Sequence, residues 1–266
     1  MFENLYKNDN FNIVLPNIKL RNCILFYNIV NPRANMFSDR YTIMPNVNGT
    51  ITLSFDGTNF SAVAWGASTH SYIIGSQPNC LQHIILIEFR PGGLYQLTGN
   101  SQTEFTDRQI DLKCISPTLY QGLCNIFEVA NNVSELTNLL DEVLLSFLFK
   151  HELHSELIFA TKKIISSGGR TSVREVADIV NYSERHLNRI FCMQTGLSVK
   201  TFSRLIRFNS VLQVLHTTPH SLAQFSIQNG YYDQSHFIQD FKTFCGVTPE
   251  EYIKKMSDFS YIATET

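Results

Sequence analysis

The stretch NGYYDQSHFIQDFKTFCGVTPEEY, Asn229 to Tyr252, follows the same plan as NYSERHLNRIFCMQTGLSVKTF, Asn181 to Phe202. Each begins with a residue suited to left-handed backbone (Gly230, Asn181), then places a helix cap (Asp233, Ser183) before a run with one apolar side. Ser183 is placed to accept a hydrogen bond from a backbone N–H near His186. The helix that follows is expected to bury Leu187, Ile190 and Phe191. Arg185, Asn188 and Arg189, spaced i, i+3 and i+4, then project together on its other side.

Upstream, TSVREVADIV puts Val173, Val176, Ala177 and Val180 on one face of a short helix, with Ala177 small enough for close helix approach. A helix, a short turn and a second capped helix make a helix-turn-helix. In the second copy, Leu222, Phe225 and Ser226 take the parts of Val173, Val176 and Ala177. Phe237 and Phe241 face inward there, and Gln234, Ser235, His236 and Gln239 outward. SVKTFSRLIRFNSVLQVL predicts one continuous amphipathic helix from about Val199 to Leu215, ended by Thr-Thr-Pro at 217–219. It joins the two copies as a stiff connector.

These surfaces suit DNA. The N-terminal end of a helix attracts a phosphate through free N–H groups and the helix dipole. Arg185 and Arg189 have the chemistry to read guanine, Asn188 adenine, and Gln234, Ser235 and Gln239 can bond base edges. His236 is read as a phosphate contact or a capping neighbour. Arg170, Lys200, Arg204, Arg207 and Lys242 are candidate phosphate contacts or ordinary surface charge. Three polar residues on one helix face are by default a solvated surface. The tandem, capped copies make the case for contact.

Charge is divided to match. The chain of 266 residues has a formal net charge of -2. Residues 1–154 hold 9 Lys+Arg against 13 Asp+Glu, residues 155–256 hold 12 against 8, and the last ten add two acids. The positive excess therefore lies with the repeated segments.

The first hundred residues have a different texture. CILFYNIV, GTITLSFDG, FSAVAWGA, SYIIG and LQHIILIEFRPGG are short β-branched and aromatic runs separated by turn residues. In TITLSF, Ile51, Leu53 and Phe55 alternate with Thr52 and Ser54, as in a half-buried strand. An antiparallel barrel or sandwich is expected. Further on, Leu136, Leu139, Leu140, Val143, Leu144 and Phe147 form an amphipathic helical stripe, with Ser134 and Glu135 suiting its start. That stripe is a candidate surface for pairing subunits. SSGGR at 166–170 stops the next helix, and the boundary between halves is placed near 150–155.

Here the residues carry a family likeness. NYSERHLNRIF, TGLSVKTF, GYYDQSHFIQDFK and GVTPEEY, in this order and spacing, resemble the DNA-binding domain of AraC/XylS-type transcription regulators over roughly residues 156–256. The resemblance implies seven helices forming two helix-turn-helix units bridged by one long helix. It also implies an upstream effector or oligomerisation domain, often a cupin-like barrel followed by helices; NVNGTITLSF and LIEFRPGGLYQLTG resemble one less-described class of these domains. The expected fold is thus α+β, with an N-terminal antiparallel β domain (cupin-like barrel or sandwich) with helices over 1–152. An all-α double helix-turn-helix domain over 153–256 and a tail at 257–266 complete it. Double-stranded DNA, RNA polymerase, a small-molecule effector and a second copy of the chain are the partners the likeness implies, in a transcription activator. Two departures stand out: Asn181 where many relatives carry Gly, and Gln239 where many carry Arg or a similar base. The second recognition helix is short of charge, so it is expected to read more weakly or to favour adenine.

The rival expectation is a barrel-based binder or enzyme that the C-terminal part positions on DNA. It needs a convergent polar cluster, and none stands out, so no catalytic residue, cofactor or metal site is expected. His151 and His154 in HELH lack the zinc-protease spacing, and His70 and His83 lack a supporting cluster. Trp65 is read as aromatic core or pocket lining. Six scattered cysteines without a Cys-x-x-Cys pair are expected to be reduced thiols. No apolar run approaches bilayer length and MFENLYKNDNFNIVLP lacks signal-peptide character, so a soluble cytoplasmic protein is expected, with no membrane contact.

Overall fold

Alternating runs in the N-terminal half pair into a seven-stranded antiparallel sheet in the computed structural model, which describes residues 4–7, 11–130, 132–148, 151–215, 222–255 and Phe259. Its strands are β1 (Asn4–Lys7), β2 (Phe11–Val14), β3 (Ile24–Val30), β5 (Thr50–Phe55), β6 (Phe60–Trp65), β8 (His83–Phe89) and β9 (Gln109–Asp111). The order is β1-β2-β3-β8-β5-β6-β9, and β4 (Thr42–Ile43) pairs with β7 (Tyr72–Ile73) in a small second sheet. Among the described residues nothing joins β1 to β9, so the barrel does not close. The sandwich form of the expectation fits instead: the sheet is open, with β5 and β8, distant in sequence, paired in its middle.

Period-two side chains give this sheet two faces. On one, Tyr27, Ile87, Ile51 and Ala64 lie in register and are buried. They pack with α3 (Pro117–Val129) and α4 (Val133–Phe147), whose Leu119, Leu123, Leu140 and Leu144 belong to the same core. Leu136, Leu139, Val143 and Phe147 pack against that core. The stripe read as a pairing surface is therefore satisfied inside the subunit: an amphipathic helix must cover its apolar side, and the sheet does so here. The helix is capped by Asn132, which accepts from the Glu135 N–H at 2.9 Å, two residues before the expected Ser134.

On the other face, Phe26, Glu88, Thr50 and Trp65 lie side by side. Thr50 Oγ1 donates to Glu88 Oε2 at 2.9 Å, and the Tyr72 ring stacks on Trp65 at 5.0 Å. Burial pushes the Glu88 carboxyl up to about 7, against the pull of the Thr50 hydrogen bond. Short helices α1 (Gly93–Thr98) and α2 (Leu112–Ile115) connect the strands to α3.

The C-terminal half is built of helices among its described residues, apart from a bridge at Phe259: α5 (Ser155–Ser166), α6 (Val173–Ile179), α7 (Glu184–Thr195), α8 (Val199–Leu215), α9 (Leu222–Gln228), α10 (Gln234–Cys245) and α11 (Pro249–Lys254). Its core gathers Val176, Leu187, Phe191, Phe202, Phe208, Phe237 and Phe241, and takes in Met44, Val47 and Ala67 from the N-terminal half. Phe208 of α8 meets Phe241 and Phe244 of α10, while Phe202 meets Phe191 of α7. One long helix thus serves as backing for both recognition helices. The Thr-Thr-Pro expected to end α8 lies outside the described residues, as does all of the 257–266 tail except Phe259. Phe259 bridges to Thr42 and packs on Tyr252.

Candidate nucleic-acid interface

Local chemistry builds each unit. Ser172 and Glu175 form a capping box that starts α6, with N–H to oxygen distances of 3.2 and 2.8 Å. Asn181 then turns the chain at φ +55°, and the Tyr182 N–H closes back on the Ala177 carbonyl at 3.0 Å. Ser183 Oγ accepts from the His186 N–H at 3.2 Å and opens α7.

From the end of its first helix onward, the second unit follows the same pattern. Gly230 turns at φ +80°, the Tyr231 N–H bonds the Ser226 carbonyl at 3.0 Å, and Asp233 accepts from the His236 N–H at 2.7 Å. The turns differ in length. Two residues, Asn181 and Tyr182, precede the first cap, whereas Gly230, Tyr231 and Tyr232 precede the second. Tyr232 is the additional residue, and it is 88% exposed. It was missed in the sequence, although the Tyr-Tyr pair after Gly230 marks the longer turn.

Of the expected contact residues, Arg185, Arg189, Gln234, Ser235, His236 and Gln239 are exposed on α7 and α10. His236 also has a local role: its Nδ1 accepts from the Tyr232 N–H at 3.4 Å, so the ring braces the longer turn. Lys200, Arg170 and Lys242 are exposed as well.

Two expected contacts are used elsewhere. Asn188 is half-buried, and its Oδ1 accepts from the Val199 N–H at 3.1 Å, which supplies a partner for the first turn of α8. Arg204 turns inward to Asp240, with Nε to Oδ1 at 3.0 Å and Nη2 also bonded to that oxygen, and its guanidinium lies over the Phe244 ring. The Asp240 side chain is only 5% exposed, and a carboxylate so buried needs a counter-ion. Arg207 is likewise internal, bonding the Gly169 carbonyl at 2.8 Å and lying over Tyr231. Arg204 therefore ties α10 to the connector, and Arg207 ties the loop before α6 to the turn at Tyr231.

A family model described as "Helix-turn-helix domain" matches residues 176–255. The C-terminal part of this chain is an AraC-type helix-turn-helix domain. The Msm operon regulatory protein of Streptococcus mutans is 27% identical over 160 residues, covering 54% of this chain and 58% of that protein. An uncharacterized HTH-type transcriptional regulator of Haemophilus influenzae is 26% identical over 85 residues, covering 32% and 28%. The match thus spans about half of the first relative's length and less than a third of the second's. Among solved structures, ToxT of Vibrio cholerae is similar over 86% of this chain and 98% of its own, with 13% identity and a TM-score of 0.46. Within the AraC-type domain, Arg185 and Arg189 of α7 and Gln234, Ser235, His236 and Gln239 of α10 are exposed and not packed inward.

Proposed function

We propose that the protein is a sequence-specific DNA-binding transcription regulator whose two recognition helices enter successive major grooves on one face of the duplex. One observation carries this reading. Two separately capped helices, backed by the same connector, both turn polar side chains outward near their N-terminal ends. Grooves on one face of B-DNA recur about every 34 Å, which fits a tandem pair of readers. Arg185 and Arg189 donate to guanine, Gln234 and Gln239 to adenine or backbone, and the exposed ring of Tyr232 packs against sugar or base. Lys200, Arg170 and Lys242 supply phosphate contacts.

The N-terminal half is the regulatory half of this proposal. A small-molecule effector would meet the sheet face that joins Glu88, Thr50, Trp65 and Tyr72, where a polar pair lies beside stacked rings. Selection of bound duplexes from a random pool with the full chain tests the DNA reading. Recurrent sequence in two blocks supports it, and recovery of unrelated sequences overturns it.

A further inference from the structure

The N-terminal half grips the ends of α7 and α10 that lie opposite their outward-reading turns. Two loops do so. At the end of residues 66–71, the Ser71 N–H donates to the Phe244 carbonyl at 2.9 Å and the Ser71 hydroxyl to the Cys245 carbonyl at 2.7 Å. These belong to the last turn of α10, whose carbonyls lack helix partners. In the second loop, residues 102–106, Thr106 Oγ1 donates to the Gly196 carbonyl at 2.8 Å, just past α7. Gly196 and Gly246 are equivalent C-caps at φ +83° and +81°. A side chain at Gly196 would collide with Thr106 and Gln102.

Asp107 staples the two loops to each other. Its carboxylate accepts from the Thr69 N–H at 2.6 Å and the Thr69 hydroxyl at 2.7 Å, and lies 3.3 Å from the His70 ring. Its own N–H donates to the Ala67 carbonyl at 3.0 Å. Ala67 in turn belongs to the apolar core of the helical half. The stapled loops therefore form one piece that touches the same point on each recognition helix. The connector α8 ties the two units on one side, and the staple ties them on another.

We propose that Asp107 is a positioning residue for DNA reading. By holding together the loops that grip α7 and α10, it fixes the separation and angle of the two helices, and hence the spacing of the two half-sites. The proposal rests on the DNA-reading function above. A helix of 12 residues is about 18 Å long and rigid, so freeing its C-terminal end swings its reading end.

The test uses the full chain and duplexes recovered from the random pool, with the spacer between half-sites native, one base pair longer or one shorter. A duplex bearing only the α7 half-site is the control. Asp107→Gly keeps the left-handed backbone (φ +57°) while deleting the carboxylate. The double variant S71A/T106V leaves the staple whole and removes the hydroxyl bonds to both helix ends, keeping only the Ser71 N–H bond to the Phe244 carbonyl. For the wild type, a one-base-pair change should weaken binding by about tenfold or more, since it displaces and rotates one half-site relative to the other. In both variants the penalty should fall below about threefold, with single half-site affinity unchanged. Variants that retain the wild-type spacing penalty would overturn the proposal. Equal losses on the single half-site duplex would overturn it too, because the loops would then support only the fold. Failure of the wild type itself to select any sequence sinks the DNA-reading function instead.

Discussion

The two helix-turn-helix units share backbone design and differ in what they present. Caps, turn hydrogen bonds and C-terminal glycines correspond one to one, yet α7 shows Arg185 and Arg189 where α10 shows Ser235 and Gln239. Their interiors differ as well. Buried Ile190 of the first unit corresponds to buried Asp240 of the second, which requires Arg204 beside it. The first unit spends its cations outward; the second keeps one within. The lesson is that a repeat preserves the geometry of reading while leaving the strength of reading to a few side chains.

The comparison breaks most sharply at Arg204. Arg204→Ala strands a buried carboxylate and should cost roughly 3 kcal/mol of folding stability, read by denaturant unfolding. Sequence preference measured on surviving folded protein should stay the same. A change in preference at one base pair with no loss of stability would return Arg204 to the DNA surface.

Next in size is Arg189→Ala, which should cost about 1–3 kcal/mol on selected DNA, whereas Gln239→Ala should cost less than about 1 kcal/mol. Titration of the binding constant against salt sharpens the contrast. Losing Arg185 and Arg189 should make the log–log slope shallower, and the Gln234 and Gln239 changes should leave it as it is. Equal effects in the two helices would mean that charge does not rank them.

Asn188→Ala should cost about 1 kcal/mol of stability, as loss of a helix-capping acceptor does. The corresponding Ile238→Ala removes no cap, so its cost comes from packing alone. If Asn188→Ala left unfolding unchanged and altered selection of adenine, its bond to Val199 would not be its main role.

How much could be read in advance follows from how local each feature is. The two units were legible because caps, left-handed turns and helical spacing lie within about twenty residues of chain. Val173, Ala177, Ser183 and Leu187 reveal their places by position alone. The strands around Ile51 and Ile85 were legible from alternation, but their order was not, since pairing β3 with β8 joins residues far apart in sequence. Phe11–Val14 is too short a run to declare itself a strand. The internal partners of Asn188 and Arg204 were not legible, for one cause. Each is polar on a helix, and only partners 11 and 36 residues away show that it faces a neighbouring helix. The Leu136–Phe147 stripe announced a helix but not the sheet that covers it.

The most direct test repeats the random-pool selection with wild type, Arg189→Ala and Gln239→Ala side by side. The wild type should enrich two blocks of sequence about one helical turn apart. Arg189→Ala should flatten preference at one base pair of the stronger block alone, and Gln239→Ala should blur only the weaker one. A single enriched block, or uniform weakening across both blocks in either variant, would contradict two unequal readers held on one frame.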